Sequence, residues 1–562
     1  MKKEQLHEQH DFENMRHLIE WCADTYGEKV AYSYRTKPSD PIVNKISFIQ
    51  MRDDVRALAT KFINMGVSNK HCVVIGKFTY EWVITYFSLL CAGSVVVPLD
   101  RDWNENDLCE TVKRANASFL FCDKDIEEKG RFIKENAPVD VMTIMQTEGE
   151  GSLADLLEGG KKEFAENSDI FFKSPIDAEK MALLVFTSGT TGKGKGVMLS
   201  QRNVLSDLSS VIPYMDFSDK TVGVLPPHHT FGSSVMMVGH AMIGSEIYIS
   251  SGIRYITKEL KEQKPGHLVI VPLYLETFYR KIKANIKEQG KEKLVANMMK
   301  VSNGMLKVGI DMRAKFFGAI RAAFGGEVKM IISGGAPINP DILNFFKGIG
   351  ISTLNGYGIT ECAPIVAVNR SRRTVDGSVG PVLNIDEIKI DEPNEDGEGE
   401  ICVKGSNVML GYYQDEEATK DAITEDGYFR TGDYGKMEGD VLYITGRKKN
   451  LIILSNGKNV YPEEIENEFI ATPGVLEIVV YEGQSKRGLE HNQIVAEIYP
   501  DKEYCEKNGI TDVYAYLKPY VDNYNRNAVP YKKIGILKVR TEEFPKNTLR
   551  KIMRFKMDMS ID

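Results

Sequence analysis

MALLVFTSGTTGKGKGVMLSQRNV, residues 181–204, is the stretch from which the rest of the chain is read. Its apolar start predicts a buried strand over 182–186, and Ser200 sits where an N-cap would open a helix through Val204 and Leu208. Between them, residues 187–196 supply four hydroxyl side chains, four glycines and two lysines. Glycines let successive backbone N–H groups turn toward an anion, hydroxyls add neutral donors, and a lysine adds a compact positive charge. The stretch reads as a phosphate-handling loop. Gly189, Gly194 and Lys195 also satisfy the G-x-x-x-x-G-K spacing of a P-loop, but Gly196 stands where the Mg²⁺-binding Ser or Thr belongs. A solvent-exposed Gly/Lys loop is the remaining alternative.

At 562 residues the chain is too long for one core. Its 42% apolar and 27% charged residues are those of an ordinary soluble globular protein. A net charge of −8 argues against nucleic acid as a general partner, while leaving room for local basic sites. The eight cysteines are scattered without CxxC or metal-ligand spacing, which suits reduced thiols and a cytoplasmic chain. The start, MKKEQLHEQHDFENM, lacks the apolar core of a signal peptide, and the apolar stretch 83–99 is interrupted and too short to span a bilayer.

Outward from the loop, residues 11–140 alternate helical and strand patterns, as a parallel α/β sheet requires. Ser47 caps a predicted helix that begins FIQMRDDV, 73–75 and 95–97 predict strands, and 147–166 reads as a surface excursion. Further strands are expected at 222–225, 246–249, 267–271 and 328–332, with a long lysine-rich helical insertion at 279–324. From 386 to 447 the pattern becomes short β segments with Gly/Asp turns. The last 110 or so residues predict a compact α+β unit, with a helix opening at Pro462 and another near 512–525.

Six strings occur in order: TSGTTGKGKG at 187–196, SGGAPI at 333–338, NGYGITE at 355–361, YFRTGD at 428–433, GRKKNLIILSNGKNVYPEEIE at 446–466 and PKNTLRKIMR at 545–554. Together they resemble the adenylate-forming superfamily of acyl-CoA synthetases, luciferases and peptide-synthetase adenylation domains, over about residues 25–555. Two departures from its usual pattern are Gly194 in place of proline and Arg550 in place of glycine. The resemblance implies a large layered α/β N-terminal domain with a β-rich subdomain, residues 1–448, and a small mobile α+β C-terminal domain, residues 449–562.

The residue types suit that chemistry. Thr187, Ser188, Gly189, Thr190, Thr191, Gly192 and Lys195 are the candidate phosphate contacts. Tyr357 offers an aromatic face for adenine, with Gly334, Gly335 and Gly358 letting backbone approach; a buried core tyrosine is the alternative. Thr360 is the candidate α-phosphate hydroxyl and Glu361 the candidate Mg²⁺ ligand, since Mg²⁺ takes hard oxygens from one or two carboxylates plus phosphates. Asp433 can accept from both ribose hydroxyls, or act only as a turn residue; Arg447 can reach the same ribose or the α-phosphate. By resemblance, Lys551 is the catalytic cation over the α-phosphate and the attacking carboxylate, where negative charge spreads in the transition state. Lys449 matches the hinge between domains, and Gly457 the lining of the pantetheine path. His228 and His229, in PPHHTFG, match the carboxylate entrance and bring no third ligand for a metal; Phe231 is a candidate gate of the acyl pocket.

The implied reaction is carboxylate plus ATP giving acyl-AMP and pyrophosphate, then transfer to coenzyme A. The insertion at 279–324, ITECAPIVAVNR and VMLGYY resemble long-chain fatty acyl-CoA synthetases of bacteria. Such enzymes meet membranes peripherally, so the inner face of the membrane joins the expected partners fatty acid, ATP and CoA. The alternatives are medium-chain or aryl acids, an acyl carrier protein as acceptor, and a catalytically silent binding protein on the same scaffold.

Overall fold

A computed structural model describes residues 4–187, 194–336, 338–453, 459–470, 472–483, 493–546 and 552–561. Its organising sheet has seven strands, in the order Gly411–Tyr412, Gly196–Ser200, Met181–Phe186, Val95–Leu99, His71–Ile75, Phe119–Cys122 and Val141–Ile144. The last five are mutually parallel, and the first two add antiparallel at one edge. Their β-branched and aromatic runs are buried on both faces, as parallel strands between helices must be.

The helices start where side-chain caps put them. Ser47 accepts from the Gln50 amide to open Phe48–Asn64, and Ser200 with Asn203 forms a reciprocal capping box opening Gln201–Val211. Helix Tyr80–Cys91 buries every residue except Glu81, so the apolar stretch at 83–99 is core helix and strand. No helix among the described residues is long and apolar enough to cross a membrane. The excursion expected at 147–166 is instead largely a packed helix, Leu153–Glu166, capped by Ser152. It lies so close to helix Phe48–Asn64 that a Cβ on Gly160 would sit 2.1 Å from the Ala57 carbonyl. Its Gly, Glu and Lys content disguised a close helix–helix contact.

A second sheet runs Asn44–Ser47, Val30–Tyr34, Glu246–Ile249, Lys220–Gly223, and a third His267–Ile270, Met330–Ser333, Ser352–Gly358, Ile365–Val368. The insertion folds as helices Pro272–Glu288 and Glu292–Lys307 followed by short turns. The β-rich subdomain is a five-stranded sheet, Gly380–Pro381, Val441–Arg447, Phe429–Glu438, Gly399–Gly405, Asp386–Asp391, antiparallel throughout. The smaller C-terminal domain pairs Val475–Gly483, Gln493–Pro500 and Ile536–Val539 with helices Pro462–Phe469 and Val513–Asn527. Its apolar cluster, from Ile452 to Leu537, draws its buried members from that part of the chain alone. All eight cysteines are buried and unpaired with one another.

Candidate active site

The central loop leaves strand Met181–Phe186 and returns as strand Gly196–Ser200, with Phe186 paired to Gly196. The Thr187 amide donates to the Lys195 carbonyl at 3.0 Å, closing its base. Strand–loop–strand differs from the strand–loop–helix of a P-loop. A Cβ on Gly196 would meet Leu184 Cδ1 at 3.0 Å and Phe186 Cε1 at 3.2 Å, so the residue is glycine for packing reasons. These observations exclude the P-loop alternative. Ser188, Gly189, Thr190, Thr191 and Gly192 lie outside the described residues.

Beyond the loop's base, Lys195 Nζ stands 4.2 Å from the centroid of the Tyr412 ring, within cation–π range. The Tyr412 hydroxyl donates to Glu361 Oε1 at 3.0 Å. Tyr412 reaches this position because its strand is added at the edge of the seven-stranded sheet, paired to Val197. The sequence reading missed Tyr412; its signal was the VMLGYY string, quoted without a role. Also missed was Arg114, whose Nη2 donates to the Gly194 carbonyl at 2.8 Å and whose guanidinium stands over Phe186.

A second cluster forms at the carboxyl end of strand Ser352–Gly358. The Tyr357 hydroxyl donates to Asp433 Oδ2 at 2.8 Å, and Arg447 Nε approaches Asp433 Oδ1 at 3.0 Å. Asp433 is only 4% exposed, so an uncompensated charge there would be costly; the guanidinium supplies the compensation. Its direction comes from a bulge: Thr431, Gly432 and Asp433 stand opposite Ile401 alone, and Gly432 adopts φ +71°. Burial pushes the Tyr357 phenol up, with the Asp433 charge adding to it, while Asp433 raises Arg447.

The clusters meet through the turn between Tyr357 and Glu361. Thr360 and Glu361 begin the short 3₁₀ turn Thr360–Cys362, Thr360 buried and Glu361 partly so. Burial raises the Glu361 carboxyl, and the Tyr412 hydrogen bond opposes that rise. Gly358 leaves no room for a side chain, since a Cβ would lie 2.1 Å from the Pro364 carbonyl. Gly335, at φ +87°, opens onto free space, and a Cβ on Gly334 would come 3.7 Å from the Phe231 ring. Phe231 opens the π-helix Phe231–Gly239, whose remaining residues are buried. His228 Nε2 lies 3.4 Å from Asp100 Oδ2, and burial lowers the imidazole's pKa against that carboxylate's pull. His229 holds the start of this segment, its carbonyl accepting from Gly232 and Ser233.

Lys551 and Gly457 lie outside the described residues. The flanks of Lys551 are anchored: Lys546 forms a β-bridge with Ile552 and pairs with Glu477 at 2.5 Å, and Arg554 pairs with Glu466. Lys449 is exposed within the turn Lys448–Asn450, whose first residue pairs with Glu400 at 2.6 Å. No group of three or more His, Cys, Asp or Glu able to hold a metal occurs among the described residues. Glu361 therefore suits a Mg²⁺ carried mainly by nucleotide phosphates, for which one carboxylate is enough. A separate polar cavity of about 300 Å³ opens beside Lys329 and Ser352, where two strands of the third sheet begin.

A layered α/β body with glycine loops and an aspartate–tyrosine–arginine cluster at strand ends defines a nucleotide-handling enzyme. The chain belongs to the AMP-binding enzyme family, which it matches over residues 19–413. It is 28% identical over 502 residues to a long-chain-fatty-acid–CoA ligase 5 of Rattus norvegicus, covering 83% of this chain and 72% of that one. It is also 28% identical over 464 residues to the long-chain-fatty-acid–CoA ligase FadD15 of Mycobacterium bovis, covering 78% and 76%. Among solved structures, ATP-bound MatB from Rhodopseudomonas palustris superposes with a TM-score of 0.74 at 23% identity, over 96% of this chain and 97% of that one, a likeness of fold.

Proposed function

We propose that this chain is an AMP-forming ligase that activates a long-chain fatty acid with ATP and passes the acyl group to coenzyme A. The observation that carries the reading is the convergence of Lys195, Tyr412, Glu361, Tyr357, Asp433 and Arg447 around one turn. Support for the substrate class comes from the long-chain ligases it resembles. In this mechanism the acid's carboxylate oxygen attacks the α-phosphorus, the bond to the bridging oxygen breaks, and pyrophosphate leaves. The loop 187–195 binds the outgoing phosphates, and Tyr357 holds adenine. Asp433 accepts from the ribose hydroxyls with Arg447 beside it. Thr360 donates toward the α-phosphate. Glu361 would hold Mg²⁺, which supplies charge neutralisation on the phosphates when bound. By the family resemblance, Lys551 is the cation for the α-phosphate oxygen and the attacking carboxylate.

The second half-reaction needs that lysine gone from over the phosphate. The C-terminal domain, from residue 449, turns about Lys449 and brings Gly457 to the pantetheine path. The CoA thiol then attacks the acyl carbon and AMP leaves; a good leaving group makes a strong base unnecessary. Exchange of labelled pyrophosphate into ATP, without CoA, tests the reading across acids from acetate through palmitate and benzoate. The expected result is exchange peaking with long-chain acids, and AMP as nucleotide product once CoA is added. Exchange confined to benzoate or short acids would overturn the substrate class. Acyl product formed only on a carrier protein would overturn the acceptor, and no exchange with any acid would leave a silent binding scaffold. Replacing Lys551 by alanine is expected to cut exchange by roughly 10²–10³-fold, the scale of losing a group that stabilises transition-state charge.

A further inference from the structure

The central loop closes between two stems, and one guanidinium touches both. Phe186 ends the strand that enters the loop, and Gly194 lies just before the strand Gly196–Ser200 that leaves it. Arg114 is the last residue of helix Glu105–Arg114, 80 residues before Gly194. Its guanidinium carbon stands 5.3 Å from the centroid of the Phe186 ring, and its Nη2 donates to the Gly194 carbonyl at 2.8 Å. The helix that carries it is itself fixed. Asn104 caps its start, and Leu108, Cys109, Thr111 and Val112 bury its inner face. Immediately after Arg114, the Ala115 carbonyl meets Nδ1 of His71, the first residue of a central strand. The guanidinium is therefore anchored, through its helix, to the seven-stranded sheet.

What it holds is the backbone beside Lys195. The carbonyl before Lys195 is taken by Arg114, and the carbonyl of Lys195 itself by the Thr187 amide at 3.0 Å. Between those two ties, Lys195 Nζ stands 4.2 Å from the centroid of the Tyr412 ring. Gly194 occupies the position where the adenylate-forming pattern usually has proline. Glycine has the largest backbone freedom to lose, so this stem needs a restraint from outside the loop. We propose that Arg114 is a positioning residue for ATP: it clamps both stems of the loop so that Lys195 is in place when the β- and γ-phosphates arrive. The inference rests on the assignment of this loop to the ATP phosphates. Arginine suits the task because its planar fork lies over a ring and donates in its own plane at once, which a lysine ammonium does not do. Nη2 donates to a backbone carbonyl, which separates positioning from direct charge on the nucleotide.

Calorimetric titration of the full chain with ATP and, separately, with AMP tests it. Arg114 is exposed, so its loss is expected to be moderate: R114A should weaken ATP binding roughly five- to tenfold. AMP affinity should stay within about twofold, because AMP lacks the phosphates the loop receives, whereas a merely structural role would weaken both ligands. R114K keeps the charge without the fork and should recover only part of the loss. On the chain without nucleotide, amide hydrogen exchange at Thr187 should quicken in R114A at the wild-type melting temperature. In the pyrophosphate exchange assay, KM for ATP should rise by the same factor as the binding loss, with kcat little changed. If no acid supports exchange, the ligase reading fails, and the ATP and AMP titrations still judge Arg114. Unchanged ATP affinity in R114A, equal losses for ATP and AMP, or full wild-type affinity in R114K overturns the proposal.

Discussion

Asp433 and Asp386 belong to the same five-stranded sheet, and their environments set them opposite tasks. Asp433 has the Arg447 guanidinium at 3.0 Å and the Tyr357 hydroxyl at 2.8 Å. Among the described residues no cation pairs with Asp386. Its Oδ2 accepts from Asn407 Nδ2 at 3.1 Å, and the same amide reaches Asp207 Oδ1 at 3.4 Å. Although Asp386 is only partly buried as a residue, its Oδ1 is shut off from solvent without a hydrogen-bond partner among the described residues. Burial pushes its carboxyl up to about 7, and pushes the fully buried Asp207 well above the usual carboxylate range, with the Asp386 charge adding to the rise. The lesson is that burial alone does not mark a functional carboxylate. What differs is whether a cation accompanies it.

The largest effect that sharpens this contrast is expected at Asp433. If it is the ribose acceptor, Asp433→Ala removes two charge-assisted hydrogen bonds and should lower pyrophosphate exchange by roughly 100-fold or more. Asp207→Asn, in the buried pair, should leave exchange within a few-fold of wild type. Equal losses at both positions would erase the distinction.

A smaller effect is expected at Tyr412. Tyr412→Phe keeps the ring beneath Lys195 and removes the donor to Glu361, a loss of about 1 kcal/mol or several-fold in exchange rate. The hydrogen bond holds the Glu361 carboxyl down against burial, so its loss raises that pKa further. The acid limb of the pH–rate profile should therefore move to higher pH. An unmoved limb would detach Tyr412 from the chemistry.

The last effect concerns stability and is expected to leave the exchange reaction untouched. Asp386 has a folded-state pKa near 7, above its unfolded value, so the native state holds a proton that the unfolded chain releases between about pH 4 and 7. Its contribution is favourable below the unfolded pKa and is lost as pH rises through the folded one. Asp386→Asn, which keeps the acceptor for Asn407, should be near neutral at pH 4–5. By pH 8 it should gain roughly 3–4 kcal/mol relative to wild type, at about 1.4 kcal/mol per unit of raised pKa. A melting-temperature difference that stays flat across that range would show that the pair does not share the shifted titration.

Much of the fold was legible because it is written in local chemistry. Ser47 and Ser200 cap their helices through hydroxyls three residues from the amides they satisfy, and Pro462 opens its helix at a position where a missing N–H costs nothing. Helix Leu153–Glu166 was misread because Gly160 looks like a breaker until the backbone of Ala57 is brought against it. Tyr412 was passed over for a related reason: what matters is the partner of its hydroxyl, Glu361, which lies 51 residues away along the chain.

The sequence by itself determined most of the order of strands and helices, the membership of the AMP-binding family and the residue types proposed for phosphate, adenine and ribose. These follow from hydrophobic periodicity, caps and motif spacing, all of which act over a few residues. Only the tertiary structure decided that Gly196 is a packing glycine, that a bulge at Gly432 aims Asp433 at Arg447, and that Lys195, Tyr412 and Glu361 form one chain of contacts. Each of these depends on which distant surface a side chain meets, and that is set by the closing of the sheets.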